Sequence, residues 1–283
     1  MKTISEVRPS PIAGRWYSAN PHALSESIDG YLAAAQIPPL DGSVVALIVP
    51  HAGHQYSGPV AAYAFKAVSG LKIDLVAVVS PMHQYLPHPL LTSAHQAYAT
   101  PLGVIPVDCD AVAAVNEALE AALGFGLSAV AYDSEHSLEI ELPFLQRVLS
   151  GPFQLLPIMM RDQAPETAHV LGQALAKTLA GRSTLLVASS DLSHFYPQQQ
   201  AVQFDAAILE QVACFSPEGL FEVESQGKGF ACGLAPIAAV LWAARDLGDN
   251  QVQVLNHATS GDVIGDFSSV VGYGAAVVLK KEV

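Results

Sequence analysis

The sequence predicts an α/β fold built on a mostly parallel sheet. Three runs of strand length are almost purely apolar, which is typical of strands buried on both faces of such a sheet; they are Val44–Val49, Ile73–Ser80 and Thr184–Ser190. Segments with helical periodicity separate these runs, as expected for βαβ units. Each run stops abruptly at a turn that carries a histidine. Since the carboxyl ends of parallel strands meet at one edge of a sheet, we expect the functional residues at that edge.

The composition favours a single domain over residues 1–283. The chain is 51% hydrophobic and 14% charged, so it can bury a large core, and it contains no low-complexity linker or solenoid repeat. A formal charge of −13 argues against nucleic acid as a partner. No apolar run approaches the length that spans a bilayer, and the first residues lack the apolar segment of a signal peptide. We therefore expect a cytoplasmic protein without membrane contact.

Cysteine usage agrees with a reducing compartment. The three cysteines are Cys109, Cys214 and Cys232, an odd number at wide spacing, which is no disulfide framework. Cys232 differs from the other two because glycines flank it and a strongly apolar helix follows it. Backbone N–H groups and the helix dipole at such a position predict a lowered thiol pKa, which suits a soft metal or nucleophilic chemistry. The alternative is a buried cysteine that acts as a small apolar side chain.

The three strand-end turns supply most of the candidate residues. His51 follows the first strand through Pro50, and His83 follows the second through Pro81. The third strand leads into Asp191 and His194, which can form a carboxylate–imidazole couple that orients the ring and raises its basicity.

A fourth region of interest is Asp133–Leu149, where leucines recur at helical spacing. Ser134 is a candidate N-cap, and Pro143 predicts that the helix begins near it or bends there. His136 and Glu139 are three residues apart and share a face if the segment is helical. Such a pair binds metal in some helical bundles. There are three alternatives to metal ligation. The pair could hydrogen-bond to the metal ligands, or it could contact the substrate. The carboxylates could also be present only because a helix N-terminus favours negative charge.

By position alone, the candidate constellation combines imidazoles with one thiol. Its members are His51, His83, His194 and Cys232, with Asp191 and His136 nearby. Two histidines and one anionic ligand with open positions form the facial arrangement of non-haem iron sites. A cysteine in place of the carboxylate makes the site softer and also suits copper or zinc.

The sequence is similar to a known family over nearly its whole length. The matching motifs are Gly14-x-Trp16-Tyr17, Pro50-His51-Ala52-Gly53, Tyr56-x-Gly58, Pro81-x-His83, Thr100-Pro101-Leu102, Glu135-His136-Ser137-x-Glu139, Leu142-Pro143, Ser189-Ser190-Asp191-x-x-His194, Cys232-Gly233, Pro236-Ile237 and Ser269-Val270-Val271-Gly272-Tyr273. Together they resemble the Memo family, whose prokaryotic members are named AmmeMemoRadiSam system protein B.

The resemblance implies a three-layer α/β/α sandwich like that of the class III extradiol dioxygenases. It places the metal residues of the family on His51, His83 and Cys232, and the acid/base position on His194 with Asp191 beside it. The family has cysteine where those dioxygenases have glutamate, which argues against extradiol ring cleavage. By resemblance alone, an AMMECR-like protein and a radical SAM protein are expected partners.

These observations support three hypotheses of function. The first is a metal-dependent redox enzyme that uses iron or copper, with zinc as the other option; its catalytic residues would be His194, Asp191 and His136, and its substrate-binding residues Tyr56, Trp16 and Glu139. The second is a non-catalytic module whose cleft binds a peptide or a partner. The third is a thiol hydrolase with Cys232 as nucleophile. The substrate of the first is a small molecule or peptide that the sequence does not identify.

Overall fold

The computed structural model describes residues 6–248 and 251–281. Its helices are α1 (Pro21–Ala34), α2 (His54–Lys66), α3 (Cys109–Leu123), α4 (Leu142–Val148), α5 (Pro165–Leu179), α6 (Gln198–Ala213), α7 (Pro217–Ser225), α8 (Leu234–Asp246) and the short α9 (Gly261–Ile264). Its strands are β1 (Val7–Arg8), β2 (Ser43–Val49), β3 (Leu75–Pro81), β4 (Leu90–Ser93), β5 (Ala97–Thr100), β6 (Gly103–Pro106), β7 (Ser128–Val130), β8 (Gln154–Met160), β9 (Thr184–Ser189), β10 (His194–Tyr196), β11 (Gln251–Thr259) and β12 (Val270–Lys280). Within the described residues, no helix combines the length and the apolar character needed to cross a membrane.

A large mixed sheet forms the middle of the molecule. Among the described residues it runs β10-β12-β2-β9-β3-β8-β4-β7, with β11 also paired to β12. The four strands β2, β9, β3 and β8 are mutually parallel, as predicted, whereas β12 and β4 join them antiparallel on either side. The strand β9 lies between β2 and β3, so the first two histidine-bearing strands are separated by the third. Their carboxyl ends still share one edge of the sheet.

Helices cover both faces of this sheet, which confirms the three-layer α/β/α fold. Successive residues of the central strands alternate between two cores: in β2, Leu47 packs on one side and Ile48 on the other. The first core includes side chains of α1, α2 and α4, and the second includes those of α3, α5, α6, α7 and α8. Burial on both faces explains why the sequence of these strands is uniformly apolar rather than alternating.

A second sheet has three strands in the order β1-β5-β6. The sequence predicts a hairpin formed by residues near 90–94 and 102–107, and that pairing is wrong. The hairpin joins β5 to β6, whereas β4 pairs with β7 and β8 in the main sheet. The strand β1 pairs with β5 in parallel, with Val7 opposite Ala97 and Arg8 opposite Tyr98.

Two helix starts differ from those that the sequence predicts, both near the site. We expect the second helix to begin at Pro59, but α2 begins at His54, whose N–H donates to the carbonyl of Trp16. In the segment 133–149, Ser134 caps no helix; a short 3₁₀ turn at Glu139–Glu141 leads into α4, which has Pro143 in its first turn, as expected. Both starts depend on residues distant in the chain or on an irregular loop.

Candidate metal site

The first histidine of the site is held from both its backbone and its ring. After β2, the N–H groups of His51 and Ala52 both donate to Oδ1 of Asp191, at 2.7 and 3.2 Å. Nδ1 of the His51 ring lies 2.9 Å from Oγ of Ser189, the last residue of β9. The ring is buried. The turn after one parallel strand is therefore fastened to the end of its neighbour.

His83 and His136 share one carboxylate as their support. Oε1 of Glu135 lies 2.9 Å from Nδ1 of His83 and 3.2 Å from Nδ1 of His136. The same carboxylate accepts the backbone N–H groups of His83, His136 and Ser137. A carboxylate at Nδ1 favours the tautomer with its proton there, so the Nε2 lone pair is left for a ligand.

These three imidazoles form a group that can hold a metal ion. One donor atom from each of His51, His83 and His136 lies within 4.8 Å of the others. The ring centroids are 4.8 to 5.4 Å apart, and the ring of His51 stands nearly perpendicular to the other two. Imidazoles whose second nitrogen faces a hydroxyl or carboxylate oxygen fit the requirements of zinc, copper and iron sites.

Burial keeps the rings of His51 and His136 uncharged near neutral pH. Burial lowers the pKa of His136 to about 4, although the carboxylate of Glu135 opposes this. Burial also lowers the pKa of His51 well below its ordinary value, and the neighbouring His136 and His83 lower it further. Since metal ligation requires the unprotonated ring, the site needs no proton release from these two groups before a cation binds.

Cys232 lies beside this group but is not one of its three members. Its Sγ is 3.1 Å from Nε2 of His51. The following residue must be glycine, because a Cβ at Gly233 would lie 2.4 Å from the carbonyl oxygen of Ser189. The predicted lowering of the thiol pKa is wrong: burial raises it, and the carboxylate of Asp191 raises it further. Here desolvation outweighs the helix dipole.

Asp191 and His194 do not form the predicted couple. Asp191 is engaged by the backbone after β2, and burial raises its pKa to about 7 despite those two N–H donors. Nδ1 of His194 lies 2.8 Å from the carbonyl oxygen of Leu192 instead. Asp191 therefore positions the turn that carries His51, while a backbone carbonyl orients the ring of His194.

The histidines open into a cleft of about 810 Å³. Trp16 forms part of its wall and stacks on His136, with ring centroids 4.0 Å apart. Tyr56 and His194 also line it, as do the exposed Phe195 and Ile264. A cleft of this size accommodates a small molecule or a short peptide segment.

Glu139 does not line the cleft. Its carboxylate is buried beneath the loop that bears His136, where it accepts hydrogen bonds from Arg8, Ser10 and Tyr17. Arg8 is also buried; it forms a salt bridge with Asp133 at 2.7 Å and donates to the carbonyl of Glu135 at 3.0 Å. This ionic cluster fastens the irregular loop 133–139 to strand β1.

Sequence reasoning therefore missed two supporting residues, Arg8 and Glu135. Glu135 directly precedes His136, a candidate ligand. An acidic residue next to such a histidine was the local signal that could have identified it. Arg8 carries no local signal, because its partners lie 125 to 131 positions away in the chain.

Comparison with known proteins agrees with this architecture. A family model described as Memo-like protein matches residues 8–277. A MEMO1 family protein of Nitrosopumilus maritimus is 35% identical over 274 residues, covering 95% of this chain and 98% of that protein. A MEMO1 family protein of Methanopyrus kandleri is 34% identical over 282 residues, with 95% and 98% covered.

A solved structure of an uncharacterized protein from Escherichia coli K12 resembles this one with a TM-score of 0.52. The match covers 83% of this chain and 99% of that chain, at 11% sequence identity, and so concerns the fold alone. The family match over most of the length, together with the resemblance in motifs and the histidines gathered at the strand ends, leads to one conclusion: the chain belongs to the Memo-like family.

Proposed function

We propose that the cleft is a metal-dependent redox centre of oxygenase-like type that acts on a small molecule. The observation that supports this most is the group of three imidazoles, His51, His83 and His136, that line an open cleft. His51 and His83 belong to both candidate ligand sets. His136 completes the set by geometry, and Cys232 completes it by the family resemblance.

The residues present fit iron or copper, with zinc as a further option. Imidazole suits all three metals, and the adjacent thiol of Cys232 suits the softer ones, since coordination deprotonates a thiol even where burial raises its pKa. A bound redox metal would supply electron transfer and polarisation of a substrate oxygen at the cleft floor.

The chain's own residues would then bind the substrate and handle its proton. Trp16 and Tyr56 offer aromatic surface for an apolar part of the substrate. His194 faces the same cleft; because its Nδ1 is engaged by a carbonyl, Nε2 is the nitrogen left to accept or donate a proton. His194 is therefore our candidate acid/base.

The test compares metal binding and redox activity in matched variants. Metal-free protein is titrated under anaerobic conditions with Fe(II), Cu(I) and Zn(II), and bound metal is measured by mass spectrometry. We expect one ion per chain in the wild type, a loss in His51→Ala, and no change in the control His22→Ala, whose ring is exposed on α1. Oxygen consumption by the loaded protein then tests the redox reaction. Equal metal content in His51→Ala and wild type would refute the proposed site.

A second candidate, a cleft that binds a protein partner, is favoured by apolar side chains at its mouth. Phe195 is 75% exposed and Ile264 is 56% exposed. Large apolar side chains that are exposed together often mark an interaction site. An AMMECR-like protein and a radical SAM protein are the partners to test, by co-purification with the wild type and with Phe195→Ser. Capture that depends on Phe195 but survives His51→Ala would favour this function over the first.

The thiol hydrolase has less support. Burial raises the pKa of the Cys232 thiol, and Asp191 is not available to orient His194. A nucleophilic cysteine instead needs a lowered pKa and a base that a third group holds in place.

A further inference from the structure

The hydroxyl group of Ser189 occupies a junction behind the metal site. Its Oγ lies 2.9 Å from Nδ1 of His51, 2.6 Å from the carbonyl oxygen of Ser137 and 2.8 Å from Oε1 of Glu141. All three contacts have hydrogen-bond length. Glu141 lies on the 3₁₀ turn that precedes α4 and is almost fully buried, with 1% exposure.

The number of hydrogens at this junction fixes which group donates. A serine hydroxyl has one proton to give and can accept two hydrogen bonds. The carbonyl oxygen of Ser137 can only accept, so it must receive the hydroxyl proton of Ser189. The two remaining contacts then require donors on the other side, which are an Nδ1–H on His51 and an O–H on Glu141.

An ionised Glu141 leaves this arrangement unsatisfied. The single hydroxyl proton would then have to serve either Glu141 or Ser137, and the other oxygen would face a lone pair of Ser189 at 2.6 or 2.8 Å. Such a buried contact between unpaired acceptors is costly. Among the described residues, Glu141 also forms no salt bridge that would balance a charge.

We infer that Glu141 is an uncharged carboxylic acid that donates to Ser189 and, through it, holds His51 with its proton on Nδ1 and its Nε2 lone pair free for a ligand. Glu141 is thus a positioning residue two hydrogen bonds from the cleft. The consequence for metal binding rests on the proposed function, whereas the protonation pattern does not.

Burial and a neighbouring charge support this pattern. Burial raises the pKa of Glu141 well above its ordinary value and the Asp191 carboxylate raises it further, although the contact with Ser189 opposes this rise. The free Nε2 of His51 agrees with the 3.1 Å contact from Sγ of Cys232, in which the thiol can donate to the ring.

The test reads protonation in metal-free protein, so it does not depend on any activity. Infrared spectroscopy at neutral pH should show a carboxylic acid carbonyl band that Glu141→Gln removes. Nitrogen NMR of the histidine rings should show His51 as the Nδ1–H tautomer in the wild type and in Glu141→Gln, whose amide can also donate to Ser189. In Ser189→Ala, where the acceptor for that proton is lost, the Nδ1–H tautomer should no longer dominate.

Metal affinity gives the second readout. Ser189→Ala should weaken binding about 10-fold or more, as is usual when a hydrogen bond behind a ligand is lost. Glu141→Leu should weaken it too, whereas Glu141→Gln should bind as the wild type does. An absent acid band, an Nε2–H tautomer in the wild type, or equal losses in Glu141→Gln and Glu141→Leu would overturn the inference. If the wild type binds no metal, the proposed function fails, while the infrared and NMR results still decide the protonation of Glu141.

Discussion

The two sides of the histidine group are supported by carboxyl groups in opposite states. On one side, Glu135 is an ionised carboxylate that orients His83 and His136. On the other, we infer that Glu141 is a neutral acid that orients His51 through a hydroxyl group. Both are almost fully buried, with 2% and 1% exposure. Burial alone therefore does not decide whether a carboxyl group in this protein carries charge.

The hydrogen-bond donors around each carboxyl group explain why one is charged and the other is not. Burial raises the pKa of Glu135, but the hydrogen bond from the His83 ring, the electrostatic effect of His83 and His136 and the hydrogen bond from the Ser137 backbone outweigh this and hold the pKa well below its ordinary value. The only hydrogen bond recorded for the Glu141 carboxyl group among the described residues is that with Ser189. Hydrogen bonds to the charged form replace hydration, and without them a buried carboxyl group keeps its proton.

The largest expected effect is a loss of stability when Arg8, which holds the loop with Glu135 in place, is replaced. Arg8→Met leaves the buried carboxylates of Asp133 and Glu139 without their cation, which should lower the free energy of unfolding by about 3–5 kcal/mol. Urea denaturation measures this. The control is Arg147→Met, which breaks the exposed pair with Asp29 and should cost at most about 1 kcal/mol. Equal losses in the two variants would show that the cluster does not anchor the loop.

The second-largest effect should distinguish the two candidates for the third ligand, His136 and Cys232. His136→Ala removes a borderline imidazole, and Cys232→Ser removes a soft thiol next to His51. We expect His136→Ala to weaken Fe(II) binding by more than about 100-fold, above the usual loss for an outer-shell group, and to affect Cu(I) less. Cys232→Ser should show the reverse order. Competition titrations with chelators measure both, and the same ranking for the two metals would contradict a shared His51 with alternative third ligands.

The sequence was sufficient to predict the regular part of the site. His51, His83 and His194 each follow a buried strand, and that pattern alone places them at one edge of the sheet. Local capping signals also agree with the structure: Asn20 followed by Pro21 predicts the start of α1, and the Asn20 side chain accepts the N–H groups of His22 and Ala23 there. These predictions succeed because the signals are local in the chain and are reinforced by burial on both faces.

The irregular part of the site could not be predicted in this way. The leucine spacing of residues 133–149 predicts a helix, yet the loop that carries Glu135 and His136 is held in another conformation by Arg8, which lies 127 positions earlier in the chain. The pairing of Asp191 with His194 was plausible from their spacing, but the backbone of another strand competes for that carboxylate. Contacts between distant segments decide both cases, and no local pattern encodes them.

A matched pair of substitutions tests the difference between the two carboxyl groups directly. Glu135→Gln replaces an ionised acceptor by an amide that directs N–H groups at existing donors, so metal affinity should fall by about 10–100-fold. Glu141→Gln replaces a neutral donor by another neutral donor and should leave the affinity unchanged. Isothermal titration with Zn(II) measures both. A loss of the same size in both variants would mean that the two groups share one charge state.

The smallest expected effect concerns a fourth buried imidazole, on the neutral side. Nε2 of His54 lies 3.0 Å from the carbonyl oxygen of Ile140, the residue before Glu141, and burial lowers its pKa to about 4. Because the ring takes up a proton near pH 6.5 in the unfolded chain but only near 4 in the folded one, its contribution to stability is complete above pH 6.5 and is lost as the pH falls towards 4. The loss should reach about 1.4 kcal/mol at pH 5.5.

His54→Gln keeps a donor to Ile140 without titrating. Urea denaturation at pH 7.5 and 5.5 should therefore show that the variant loses about 1.4 kcal/mol less stability between the two pH values than the wild type does. Identical pH dependence would mean that His54 is charged in the folded protein, and that the neutral side of the site tolerates a buried cation.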